Sequence, residues 1–219
     1  MTDEQKSILD NLRKAIFEYN SALAEESAQK AIESGVSPVE AMDVMTVAIR
    51  EIGEAFGTGE LWLPDLIGAS DAMQGATPVL EEEIRKQGAH REILGKVVAG
   101  TVFGDIHNIG KTMVSTLLTA AGFQVEDLGV NIKAEAFVEA AQKQDADLVV
   151  MSALMTTTMT EQEKVIGSLK NEGIREKVKV MVGGAAVTEE FAREIGADGY
   201  DPTAPGAVQL AEKLLKKGE

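Results

Sequence analysis

The chain has 219 residues, 44% of them hydrophobic and 26% charged, proportions ordinary for a soluble globular protein and sufficient for one large domain or two small ones. It has no cysteine, which excludes disulfides, thiolate metal sites and cysteine nucleophiles, and only two histidines, His90 and His107, which excludes a multi-histidine metal site. The net charge of −15 argues against nucleic acid and anionic membrane as partners, and no apolar run approaches the roughly 18 residues of a membrane span.

The polar, acidic start MTDEQKS is not a secretory signal, so a cytoplasmic location is expected. Residues 1–88 read as all helix, with segments near 4–19, 21–34, 38–56 and 64–87. Gly35 ends the second segment, and Ser37-Pro38 is a cap followed by proline at the first helical position. Met42, Met45, Ile49, Ile52 and Phe56 recur at helical spacing until Gly57-Thr58-Gly59. Leu63-Pro64 opens the fourth segment. Four helices with short connections predict an antiparallel bundle. The acidic excess is concentrated here, which fits a solvated surface or a face for a basic partner.

The stretch 88–94, GAHREIL, is expected to link two domains, 1–88 and 89–219, and Gly88–Glu92 is the expected hinge; His90 beside Arg91 reads as an exposed bystander. Beyond it the period changes. Strands are expected near 96–103, 124–128, 147–152, 178–182 and 198–200. Helices are expected near 109–121, 134–144, 160–172, 188–195 and 204–217. Five strand–helix units predict a parallel sheet with helices on both faces, of the flavodoxin-like (Rossmann-type) α/β class with strand order 2-1-3-4-5. The runs VVAGTVF, LVVMSAL and VKVMVGG suit strands buried on both sides.

Such sheets bind ligands beyond the carboxyl ends of their strands. Three clusters fall at such ends: Gly104-Asp105-Ile106-His107-Asn108-Ile109-Gly110, Ser152-Ala153-Leu154-Met155-Thr156-Thr157-Thr158, and Gly183-Gly184-Ala185. In the predicted order the three strands are neighbours, so the clusters share one edge. An imidazole whose N–H is held by a carboxylate has a fixed tautomer and a more basic second nitrogen, which serves a metal ligand or a general base. The glycines clear surface for a wide or long ligand. The threonines offer hydroxyls to extend a hydrogen-bond chain from Asp105. Taken singly, each cluster has an ordinary explanation: a loop hydrogen bond, a turn, core filler.

Together, at spacings of 41 residues between Gly110 and Ser152 and 28 between Leu154 and Gly183, the clusters resemble the cobalamin-binding motif D-x-H-x-x-G, S-x-L, G-G. The stretch Glu51 to Pro64, EIGEAFGTGELWLP, is similar to the helical cap preceding that domain in cobalamin-dependent methionine synthase and in corrinoid proteins of anaerobic methyltransferase systems. The resemblance implies a free-standing corrinoid protein of the methylamine, betaine, methanol or methoxyarene type. The implied cofactor is cobalamin or a related corrinoid, cycling between methylcob(III)alamin and cob(I)alamin. His107 would be the lower ligand to cobalt, with Asp105 hydrogen-bonded to it and Thr158, where the family has serine, as the next hydroxyl in the relay. The nucleotide tail would run past Ser152, Leu154, Thr156, Gly183, Gly184 and Ala185. Phe56 and Leu63, with Trp62 as an additional candidate, would shield the upper face. Implied partners are a substrate-specific methyltransferase with methylated amines or betaines favoured as donors, a second methyltransferase acting on a thiol or tetrahydropterin, and a reductive activase. The alternatives are a cobalamin-dependent sensor, which usually adds a DNA-binding domain, the small subunit of an adenosylcobalamin mutase, and a response-regulator-like fold without cofactor.

Overall fold

The apolar spacing of the first half resolves into four helices in the computed structural model, which describes residues 1–89 and 93–216. They are α1 (Asp3–Phe17), α2 (Ser21–Glu33), α3 (Pro38–Thr58) and α4 (Leu63–Gln87). Each of the first three starts where a side chain accepts an otherwise orphaned N–H: Thr2 from Gln5, Asn20 from Leu23 and Ser37 from Glu40. Leu12, Ile16, Met45, Ile49, Ile52, Leu66 and Leu80 are fully buried between the helices. α1 packs on α2 and α3, and α4 packs on the same two. Gly75 permits one close approach, since a Cβ there would lie 2.3 Å from Ser21 Oγ. These helices belong to one compact unit, Met1–Glu92.

The second unit, Ile93–Glu219, alternates strand and helix. In order they are β1 (Lys96–Thr101), α5 (Ile109–Ala121), β2 (Gln124–Asp127), α6 (Ala134–Gln144), β3 (Leu148–Ser152), α7 (Thr156–Asn171), β4 (Lys179–Gly183), α8 (Glu189–Ile195), β5 (Gly199–Tyr200) and α9 (Ala204–Leu215). All pairings are parallel, and the order is β2-β1-β3-β4-β5 as expected. The β-branched strands are buried on both faces. Val97, Val150 and Met181 pack with Leu118 of α5 and Ala211 of α9, whereas Val98, Val149 and Val180 pack with Phe137 of α6 and Ile166 of α7. Thr101 is in register with Ser152, and Ser152 with Gly183. The three polar clusters therefore leave the sheet side by side.

Two boundaries next to the polar clusters differ from expectation. β1 stops at Thr101 instead of 103, with Val102 reduced to a single bridge with Ile132. α7 starts at Thr156, four residues before the expected 160, so Thr156 and Thr158 lie on a helix and not on a loop. A carboxylate from another element lies against this start, as described below. Of the expected linker and hinge, residues 90–92, including His90, lie outside the described residues, as does the last residue of the expected final helix, 217.

Candidate functional site

The loop after β1 is built around one carboxylate. Gly104 turns with φ +79 and donates its N–H to Asn131 Oδ1 at 2.8 Å, and Thr101 Oγ1 donates to His107 O at 3.0 Å. Between these braces Asp105 points inward and is fully buried. Its Oδ1 accepts the His107 backbone N–H at 3.0 Å and lies 2.7 Å from His107 Nδ1. Its Oδ2 accepts the N–H groups of Leu154 at 2.8 Å and Met155 at 3.4 Å, and the Thr158 hydroxyl at 2.6 Å. Burial pushes the carboxyl up. The bonds from the Thr158 hydroxyl, the His107 backbone and ring, and the Leu154 N–H outweigh burial and hold it well below the usual carboxylate range. An ionised carboxylate only accepts, so Nδ1 carries the hydrogen and Nε2 is the nitrogen open to a ligand. The His107 side chain is 46% exposed.

Asp105 also sits at the start of α7. Met155 holds the N-cap position without a side-chain cap bond of its own. The Asp105 carboxylate accepts the N–H groups of Leu154 and Met155 just before the first turn, where negative charge is favoured. Thr158 sits one turn in and is buried. Its methyl fits over Gly104, where a Cβ would come 3.5 Å from Cγ2.

Beside His107 opens a cleft of about 480 Å³, bounded by the ends of β3 and β4 and by α5 and α9. Of the expected residues it is lined by His107, Gly110, Ser152, Leu154, Gly183, Gly184 and Ala185; Met113, Val114 and Met181 form apolar walls. Gly184 has φ +119, and a Cβ there would lie 1.9 Å from Ala153 O, so the backbones at these strand ends abut. Gly110 and Gly183 differ: a Cβ at either meets no atom within 4 Å. The protein's own packing does not demand glycine there, and both open onto the cleft.

Thr156 does not line the cleft; it is exposed on the first turn of α7, which the early start of that helix places elsewhere. Asn108 is the N-cap of α5, and Ile106 and Ile109 on either side are 73% and 59% exposed. Phe103, Leu154 and Met155 are exposed large apolar residues on the same two loops. The sequence reading missed Phe103 and Met155 as site residues, because apolar residues at strand and helix ends carry no mark of exposure. It also missed Lys111, which lines the cleft and is buried in an ion pair with Asp127. In the helical unit, Phe56 and Leu63 are half-buried and Trp62 is 74% exposed.

Among the described residues no group of three or more His, Asp or Glu could hold a metal by itself. A metal at this site would have to arrive with most of its ligands. Comparison with known proteins gives a carrier of that kind: the model of the B12 binding domain matches residues 95–209, and a second B12 binding domain model matches residues 8–81. The chain belongs to the B12-binding corrinoid proteins of methyltransferase systems. It is 44% identical over 213 residues to a corrinoid protein of Desulfitobacterium hafniense, covering 96% of this chain and 99% of that one. It is 41% identical to trimethylamine corrinoid protein 2 of Methanosarcina mazei, over 98% and 99% of the two chains. Among solved structures, it matches a chain of the methanol:cobalamin methyltransferase complex from Methanosarcina barkeri with a TM-score of 0.80 and 31% identity, covering 97% of this chain and 81% of that one.

The residues of this corrinoid protein fit such a cofactor. A corrinoid is a broad ring with a long nucleotide tail. Ile106 and Ile109 flank His107 on its loop, and Phe103, Leu154 and Met155 on the loops after β1 and β3 add exposed apolar surface. The cleft beside His107, about 480 Å³ and kept clear at Gly110 and Gly183, offers space for an appended tail.

Proposed function

We propose that this corrinoid protein carries a methyl group between two methyltransferases. The reading is carried by one observation: an exposed His107 ring, fixed through Nδ1 to a buried carboxylate, stands at the mouth of a cleft. When bound, the corrinoid supplies a cobalt centre able to accept and release a methyl group. His107 would hold it through Nε2. Asp105 fixes the ring's tautomer and direction, and Thr158 fixes Asp105. Nε2, when free, would be the atom able to take a proton, with the Asp105 carboxylate beside Nδ1 balancing the charge. Ser152, Gly183, Gly184 and Ala185 receive the nucleotide tail. Residues 1–88 would act as the cap domain, in which Phe56 and Leu63, with Trp62 as an additional candidate, would exclude water from the cofactor, and residues 89–219 as the corrinoid-binding domain.

The names of relatives for trimethylamine and dimethylamine favour a methylated amine as donor, delivered by a substrate-specific methyltransferase. A second methyltransferase, with a thiol or tetrahydropterin as acceptor, would remove the methyl group, and a reductive activase would restore cob(I)alamin. No helix among the described residues is long and apolar enough to cross a membrane. We place the protein's action in the cytoplasm.

The test is electron paramagnetic resonance of the protein reconstituted with cobalamin in the Co(II) state. Nitrogen coupling from imidazole is expected, with the cofactor's own benzimidazole displaced, and His107→Ala should lose that coupling while keeping its fold. Benzimidazole coupling in the parent, or an unchanged spectrum in the variant, would remove His107 from the metal.

A further inference from the structure

Gln162 is fully buried on α7, one turn beyond Thr158 and therefore on the same face of the helix. Its Nε2 donates to two main-chain carbonyls, Met151 O and Gly183 O, each at 3.2 Å. These oxygens belong to the ends of two different strands, β3 and β4. Reversing the amide would set Oε1 against two acceptors, so the partners fix its orientation. Oε1 itself meets no donor among the described residues. A buried acceptor left open costs stability, and an apolar side chain of the same length would fill the space without that cost. What an apolar side chain cannot do is hold two strand ends at one point.

The residues at that point face the cleft. Ser152 and Gly183 are register partners, and both line it. Gly183 O also accepts the Ala153 N–H at 3.0 Å, and Gly184 abuts Ala153 O. Of the devices that close these ends, Gln162 is the one that comes from α7, the helix whose Thr158 holds Asp105.

We infer that Gln162 is a positioning residue that fixes the floor of the nucleotide-tail cleft and ties it to the helix supporting the metal-binding imidazole. The inference rests on the corrinoid reading above. A tail displaced by His107 needs the Ser152–Gly183 floor, whereas the corrin ring is held at His107 and the apolar loops around it. Damage at Gln162 should therefore weaken corrinoids that possess a tail and spare those that do not.

The experiment is spectral titration of the full chain with cobalamin and with cobinamide, a corrinoid without the nucleotide tail. The parent should bind cobalamin more tightly than cobinamide. Gln162→Met, of equal length and without donors, should weaken cobalamin about tenfold, the scale of two lost hydrogen bonds, and cobinamide less than about twofold. Gln162→Asn, which keeps the amide on a shorter stem, should fall between parent and Gln162→Met for cobalamin alone. If the parent does not distinguish the two corrinoids, the tail does not occupy the cleft and that reading falls, with this inference. If the parent distinguishes them and the variants lose affinity for both equally, or for neither, Gln162 is ordinary core and only this inference is overturned. Failure of both variants to fold would overturn it in the same way.

Discussion

Thr158 Oγ1 lies 2.6 Å from Asp105 Oδ2, although 53 residues separate the two in sequence. The contact has two consequences. It completes a line from His107 Nδ1 through the carboxylate to a buried hydroxyl, so the ring's direction is set by groups on two elements. It also places a negative charge at the start of α7, which makes the position of that helix depend on the ionisation of Asp105.

The pH dependence of stability follows from that dependence. The Asp105 carboxyl binds protons less readily in the folded chain than in the unfolded one. Its contribution is thus fully present above the unfolded value of about 3.9 and is lost as pH falls below it toward the folded value. Asp105→Asn cannot accept the same set of bonds, and its NH2 group would face N–H donors. It should lower stability at neutral pH by on the order of 2 kcal/mol. Thermal unfolding followed by circular dichroism should then show a smaller loss from pH 5 to pH 3 in Asp105→Asn than in the parent. Parallel curves would mean the carboxylate is not held by its neighbours as described.

Thr158→Val tests the hydroxyl without changing shape. The methyl that packs over Gly104 is kept, and the bond to Asp105 is lost. A cost of about 1–2 kcal/mol is expected. Thr158→Ser should restore stability, and in the reconstituted protein it should restore the parent's Co(II) spectrum where Thr158→Val alters the field of the imidazole. If Thr158→Val behaves as the parent while Thr158→Ser loses stability, the methyl and not the hydroxyl is what matters.

The glycines separate into two kinds. Gly184→Ala drives a Cβ into Ala153 O and requires an unfavourable backbone angle, so the variant should be strongly destabilised. Gly110→Ala and Gly183→Ala meet no protein atom. Each should keep the parent's melting temperature or raise it, since alanine is favoured over glycine in a helix by about 1 kcal/mol at position 110. Both should nevertheless bind corrinoid more weakly, because the added methyl group occupies the cleft. Unchanged affinity would show that no ligand passes these two residues.

The legible part of the fold was the part written locally. Apolar runs such as Val97–Phe103 and Leu148–Leu154 mark strands buried on both sides, and Ser37-Pro38 marks a helix start by capping chemistry. The strand order and register make Thr101, Ser152 and Gly183 neighbours, and the loop after β1 carries Asp105 to the same edge. What depends on contacts between distant segments left no local trace. The Asp105 carboxylate meets the start of α7 from the loop after the neighbouring strand, a contact no local pattern shows; that pattern places the start four residues late and leaves Thr156 on a loop. Gln162 reads as one more polar residue on an amphipathic helix until its two carbonyl partners are known.

The helical unit supplies the last test. Phe56 closes the buried stripe of α3, and Leu63 opens α4 four residues after the Gly59 turn, both half-exposed at the same end of those helices. Residues needed only for the bundle core would be enclosed as Ile49 and Leu66 are. If their open faces cover the upper side of a bound corrinoid, they keep water and oxygen from the methyl–cobalt bond and cage the radical pair that light produces, favouring recombination. Phe56→Ala and Leu63→Ala, loaded with methylcobalamin, should then photolyse faster than the parent at equal light dose. Trp62→Ala, altering a side chain 74% exposed on the intervening turn, should have a smaller effect unless it folds over the ring when cofactor is bound. The protein's sole tryptophan reports that directly: folding over should shift its fluorescence to shorter wavelength on binding. Photolysis rates equal to the parent in both Phe56→Ala and Leu63→Ala would assign these residues to the bundle and not to the cofactor.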